Sequence, residues 1–172
     1  MQNNTSTPYV PTNTGGGHER GRRAGTVNVA GAVGAAAALK YVAKRRDVQS
    51  ARLQALRDQL IAGILADVPD VRLSGHLQQR LPHHASLLFK DVDGEMLLMA
   101  LDVEGIAVST GSACTSGNPE PSAVLVSMGI AREWALGGLR LTLGYDSTEA
   151  DIDDVLQIMP KCVERVRRAM QA

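Results

Sequence analysis

Residues 93–122 read DGEMLLMALDVEGIAVSTGSACTSGNPEPS, and the fold turns on this stretch. Gly94 to Val103 carries Met96, Leu97, Leu98, Met99 and Leu101, and reads as a buried helix. Ile106 to Ser109 is a short apolar, β-branched run and reads as a strand. After Ser109 the residues become small and hydroxylated, with one thiol, Cys114, in their midst. Such a segment has almost no apolar surface to bury, so it reads as a loop that holds a cysteine within reach of solvent. A thiolate with small neighbours is open to attack a substrate. The other reading is an inert packing thiol, the commoner use of a lone cysteine.

Working outward, Pro121 to Met128 reads as a short helix with proline in its first turn. Leu139 to Leu143 alternates with Arg140 and Thr142 and predicts a strand. Ser147 or Thr148 caps a final helix to about Ala169, which Pro160 is expected to kink or interrupt. On the N-terminal side, Ser86 to Phe89 and Val71 to Leu73 read as strands. Asp47 to Asp67 reads as a helix capped by Asp47, with Leu53, Leu56, Leu60, Ile64 and Leu65 at helical spacing. Val27 to about Arg46 is Ala-rich and predicts a separate, tightly packed helix. The order α-α-β-β-α-β-α-β-α predicts an α/β fold, a small-domain sandwich whose short-stranded sheet is covered by helices mainly on one side.

The 172 residues suit one domain with a tail, and 44% hydrophobic residues suffice for a core. Aromatics make up 3%, so aliphatic side chains must build that core. Eighteen basic and eighteen acidic residues cancel, so bulk charge points to neither DNA nor membrane. Locally the balance is uneven: seven Lys/Arg lie between Glu19 and Arg46, and five acids between Asp146 and Asp154. The two cysteines, Cys114 and Cys162, form neither a disulfide framework nor a metal pattern, and reduced thiols suit a cytoplasmic protein. Cys162 falls in the final helix and reads as a small apolar residue. Residues 1–14 are polar and read as a disordered leader without the order of a signal peptide.

Residues 15–26 form a glycine-rich basic loop. Its free amides, Arg20, Arg22, Arg23 and the Thr26 hydroxyl ahead of a helix suit an anion such as phosphate. No Gly-Lys-Ser/Thr follows, so it is not a P-loop, and a basic linker with Thr26 as a simple N-cap is the alternative. Arg140 is either a solvent-facing strand residue or a fork for a carboxylate. The four histidines suggest no shared metal, since the adjacent His83 and His84 point apart in an extended chain.

Three motifs in register resemble cysteine desulfurases, pyridoxal-phosphate enzymes that place the sulfur of cysteine on a protein thiol. Gly15 to Val29 resembles the loop that follows their large domain, Asp93 to Ser122 their active-cysteine region, and Gly138 to Gly144 the strand whose arginine holds the substrate carboxylate. The match runs from about Gly15 to Arg168. It implies the small domain of a fold-type I pyridoxal-phosphate enzyme over residues 27–172, with an active-cysteine loop at 109–118 of the long type that serves iron–sulfur assembly or tRNA thiolation. Cys114 is then the persulfide carrier, Arg140 the carboxylate grip on L-cysteine, and Thr26 a contact to the cofactor phosphate of the other subunit in a homodimer.

The lysine that binds the cofactor in this family follows Ser-x-His in the large domain, upstream of the glycine loop. No His-Lys pair occurs here, and no lysine precedes Thr26. The resemblance therefore implies the C-terminal part of a desulfurase, inactive without a partner chain bearing pyridoxal 5'-phosphate, and working with a sulfur acceptor protein. The alternatives are a non-catalytic persulfide carrier, an acceptor-docking module, or an inert remnant.

Overall fold

A computed structural model describes residues 10–111 and 120–171. Cys114 and most of the expected loop 109–118 lie outside them, as do residues 1–9 of the expected leader. The chain divides into two compact units, Met1–Arg45 and Arg46–Ala172.

In the first unit, β1 (Gly17–His18) and β2 (Arg23–Ala24) pair antiparallel, so the glycine-rich segment is a small hairpin rather than a plain loop. Its turn places Glu19, Arg20 and Gly21 at positive φ, and the Gly21 amide donates to the His18 carbonyl at 3.0 Å. Helix α1 (Val29–Asp67) begins after it. The Asn28 side-chain oxygen accepts the Gly31 amide at 2.8 Å and caps α1, the role considered for Thr26.

Two expectations for this region are corrected. Helix α1 is continuous through Asp47, which is not an N-cap; one aspartate in a helix interior costs only about 0.5 kcal/mol, and neither glycine nor proline lies nearby to stop the run. The Ala-rich part is not tightly packed: every residue from Val29 to Val48 is exposed.

The second unit is built on a three-stranded antiparallel sheet, β3 (Val71–Leu73), β4 (His84–Phe89) and β5 (Gly138–Thr142), in that order. Alternation gives it two distinct faces. Ala85, Leu87 and Phe89 of β4 and Leu139 and Leu141 of β5 enter the main core. Against them pack Leu56, Leu60, Ile61 and Ile64 of α1, Leu97, Ala100 and Leu101 of α2 (Gly94–Val103), and Ile152, Met159, Cys162, Val163 and Val166 of the final helix α5 (Glu149–Gln171). Burying a side chain the size of Phe89 or Leu87 contributes about 1.5–3 kcal/mol. Ile61 takes the core place expected of Leu65, which is 41% exposed.

Helix α2 is amphipathic rather than buried, with Met96, Met99 and Val103 exposed. Asp93 caps it, accepting the amides of Glu95 and Met96 at 2.8 and 3.1 Å. Thr148 and Asp151 cap α5 reciprocally. Pro160 does not interrupt α5: it removes one N–H donor, while Met159, Cys162 and Val163 around it stay buried in the core.

The opposite sheet face carries Leu88, covered by a smaller cluster of Leu125, Trp134 and Ala135. Leu125 comes from α3 (Ala123–Ser127), the other two from α4 (Arg132–Ala135), an element without a visible sequence signal. The Arg72 guanidinium lies 3.8 Å from the Trp134 ring centre. The run 106–109 is not a full strand: it reaches the sheet through one antiparallel bridge, Ser109 to Arg140. Among the described residues no helix is long and apolar enough to cross a membrane.

Candidate functional site: a cationic cleft at the sheet edge

On the same sheet face, past the Trp134 cluster, lies a polar row. Register aligns Ser86 with Arg140, and the isolated bridge aligns Arg140 with Ser109. The Ser74 and Ser86 hydroxyls bond at 2.7 Å, which occupies the one side of Arg140. On the other side Arg140 Nη2 donates to Ser109 Oγ at 3.0 Å, and the backbones of the two residues exchange both hydrogen bonds, at 2.6 and 3.1 Å. Arg140 is exposed, as a residue on the polar side of an alternating strand must be.

This row floors a cleft of about 340 Å³. Its walls include His84, Arg80, Thr110, Gly111 and Met128. No carboxylate lines it among the described residues, while two arginines do, so it suits an anion. Arg80 is pinned, donating to the carbonyls of His76 and Ser74 at 3.0 and 2.9 Å. Ser109 is the one side-chain partner recorded for Arg140, and no acid pairs with it among the described residues. Among the described residues Arg140 therefore keeps more of its donors free for a ligand than Arg80 does. His84 is pushed below its ordinary value by burial first, then by Arg80, Arg140 and His83, and stands neutral beside the two guanidinium groups.

The predicted site residues are distributed as follows. Arg140 sits on the cleft floor. The segment to Cys114 leaves the sheet at the same edge, since Thr110 and Gly111 line the cleft and Gly111 turns with a φ of 76°; Cys114 lies outside the described residues. Thr26 belongs to the first unit, exposed and three residues ahead of α1. Cys162 is buried, with its thiol 3.6 Å from the Ala100 carbonyl, and burial pushes its pKa up; it is a core residue. Reasoning from sequence missed Ser109, Ser86 and His84. For the last two a signal existed, because alternation from Ala85, Leu87 and Phe89 puts His84 and Ser86 on the Arg140 face.

Known proteins resemble this chain over most of its length. Residues 5–155 match the family described as Aminotransferase class-V. An IscS-like cysteine desulfurase of Mycobacterium tuberculosis is 48% identical over 95% of this chain and 42% of its own length. A cysteine desulfurase of Nostoc is 43% identical over 92% of this chain and 40% of its own. Among solved structures, a NifS-like protein from Rickettsia africae superposes with a TM-score of 0.76 at 25% identity, covering 92% of this chain and 41% of that one. A second NifS-like protein gives 0.70 at 28% identity, covering 98% and 40%. The chain thus spans about two fifths of the length of the curated relatives it matches. Its α/β architecture is that of the small domain of fold-type I enzymes, and the family implies pyridoxal 5'-phosphate in the full-length enzymes. On the extent of the match and the identity to these relatives, the chain belongs to the class-V aminotransferase family.

Proposed function

We propose that this chain is the sulfur-accepting portion of a cysteine desulfurase, in which Arg140 holds the carboxylate of L-cysteine and Cys114 takes its sulfur. One observation carries the reading: an arginine with no acidic partner among the described residues stands on the floor of an anion-suited cleft, at the sheet edge from which the segment to Cys114 departs. The Arg140 guanidinium offers a planar pair of donors to a carboxylate. In net terms the Cys114 sulfur gains an S–S bond, and the substrate's C–S bond breaks with its electron pair left on carbon. That carbon takes a proton. The products are alanine and a Cys114 persulfide, which passes to an acceptor protein for iron–sulfur clusters or tRNA thiolation.

The cleft fits the carboxylate end of an amino acid, but not the covalent anchoring of pyridoxal 5'-phosphate, because no lysine lines it among the described residues. No step through the cofactor is assigned to this chain. In this reading another chain or segment bears the cofactor, the assembly is a cytoplasmic homodimer, and Thr26 meets the phosphate held by the other subunit. A cleft that no lysine lines among the described residues also suits a second reading, a persulfide carrier that docks an acceptor without turning over cysteine.

The test is a reconstitution with a separately supplied cofactor-bearing large domain, assayed for sulfide release at varied L-cysteine. Losing the two-pronged grip in Arg140→Lys forfeits about 1.5–3 kcal/mol, a ten- to hundredfold rise in the cysteine needed for half-maximal rate. An unchanged cysteine dependence makes Arg140 a mere strand residue. No sulfide release from the wild-type mixture favours the carrier.

A further inference from the structure

We infer that Ser109 is a positioning residue: its hydroxyl fixes the Arg140 guanidinium and ties it to the first turn of the segment that carries Cys114. The inference rests on the reading of Arg140 as a carboxylate grip. Ser109 Oγ accepts two hydrogen bonds, from Arg140 Nη2 at 3.0 Å and from the Gly111 amide at 3.2 Å. Those two donors fill both acceptor sites of a hydroxyl. The main chain of Ser109 is at the same time locked to Arg140 by paired bonds at 2.6 and 3.1 Å. The hydroxyl is thus held by two donors on a residue whose main chain is itself fixed to Arg140.

Arg140 needs such a partner. An exposed arginine on a strand samples many rotamers, and its entropy opposes any fixed geometry. Ser86, its neighbour on the other flank, is already engaged with Ser74 at 2.7 Å. Among the described residues Ser109 is the one side-chain hydrogen-bond partner of the guanidinium, engaging Nη2, and Arg140 lines the cleft. The same oxygen holds the amide of Gly111, where the chain turns at positive φ towards Cys114, three residues on. Carboxylate grip and thiol-bearing segment therefore share one hydroxyl as their common anchor.

The test uses this chain alone and two small alkylating agents. Iodoacetate carries a carboxylate and iodoacetamide does not, so the ratio of their rates at Cys114 reports a cation that steers a carboxylate to the thiol. Changes in thiol exposure or ionisation cancel in that ratio. Arg140→Gln should lower the ratio about tenfold from wild type. Ser109→Ala should lower it to within about threefold of Arg140→Gln, and Ser109→Thr, which keeps the hydroxyl, should restore it to within about twofold of wild type.

A ratio that falls in Arg140→Gln but holds in Ser109→Ala overturns the Ser109 inference and leaves the carboxylate grip standing. A ratio unmoved by Arg140→Gln overturns both. Should Ser109→Ala unfold, which labelling of the buried Cys162 would reveal, nuclear relaxation of the Arg140 side-chain N–H in the wild-type chain decides. A guanidinium as mobile as that of Arg22 on the exposed hairpin overturns the inference, and a rigid one upholds it.

Discussion

Gly137→Ala should cost more stability than its single methyl group suggests. A β-carbon at Gly137 would lie 1.9 Å from the Phe89 carbonyl oxygen, 2.9 Å from its carbon and 3.0 Å from the Val92 oxygen. All three are backbone atoms, so no side chain can swing aside. A carbon normally approaches such an oxygen to about 3.3 Å, so the start of β5 must retreat by about 1.4 Å. That retreat breaks the hydrogen bond that the Phe89 amide donates to the Gly137 carbonyl, now 3.0 Å, at about 1 kcal/mol. Overpacking adds about 1–3 kcal/mol, and the smaller entropy of the unfolded alanine chain offsets about 0.4–1 kcal/mol of the loss. The net loss is about 1–3.5 kcal/mol, roughly a 5- to 400-fold drop in the folding equilibrium. The thermal midpoint should fall by about 2–14 °C. Trp134, the one tryptophan and buried beside the substituted residue, reports unfolding in urea by its fluorescence, with circular dichroism as the global probe. Gly144→Ala is the control, since nothing lies within 4 Å of its added carbon. A Gly137→Ala loss below about 0.5 kcal/mol would refute the claim that β5, and Arg140 with it, is set by a backbone contact only glycine permits.

Three further outcomes follow from the same structure. Asp93→Ala should cost about 1 kcal/mol in urea unfolding, because two α2 amides lose their acceptor, whereas Asp93→Ser should restore most of it. His84 should titrate below its ordinary 6.5 in an NMR pH series, and Arg140→Gln should move its midpoint up by removing one of the depressing charges. Because the fold favours neutral His84, its contribution to stability is present above about pH 6.5 and is lost as pH falls below it; a midpoint at or above 6.5 contradicts the placement. Cys162 should resist alkylation until the protein unfolds, and its raised pKa means that stability declines as pH rises past the ordinary thiol value; labelling of the native chain at Cys162 in step with Cys114 would contradict its burial.

Much of the fold was legible because alternation and helical spacing report burial directly. Leu139 and Leu141 flank Arg140, and Leu53, Leu56, Leu60 and Ile64 share one stripe. The failures have physical reasons. Asp47 looked like a cap, yet an aspartate is tolerated within a helix when nothing else ends it. The run 106–109 has the composition of a strand, but a strand needs a partner, and the sheet offers it a single bridge. Helix α4, with four residues, is too short to show a period. In the site, Arg140 was found through its motif. Ser109 was not, because a serine at the end of an apolar run is common, and its partner lies 31 residues away.

The most direct test of the account follows the sulfur itself. In the reconstituted mixture with the cofactor-bearing domain and L-cysteine, the thiols of this chain are trapped and its peptides mapped by mass spectrometry. The account predicts one added sulfur atom on Cys114, none on Cys162, and none in Cys114→Ser. Sulfide release that continues in Cys114→Ser, with no sulfur ever found on Cys114 in the wild-type chain, would contradict it.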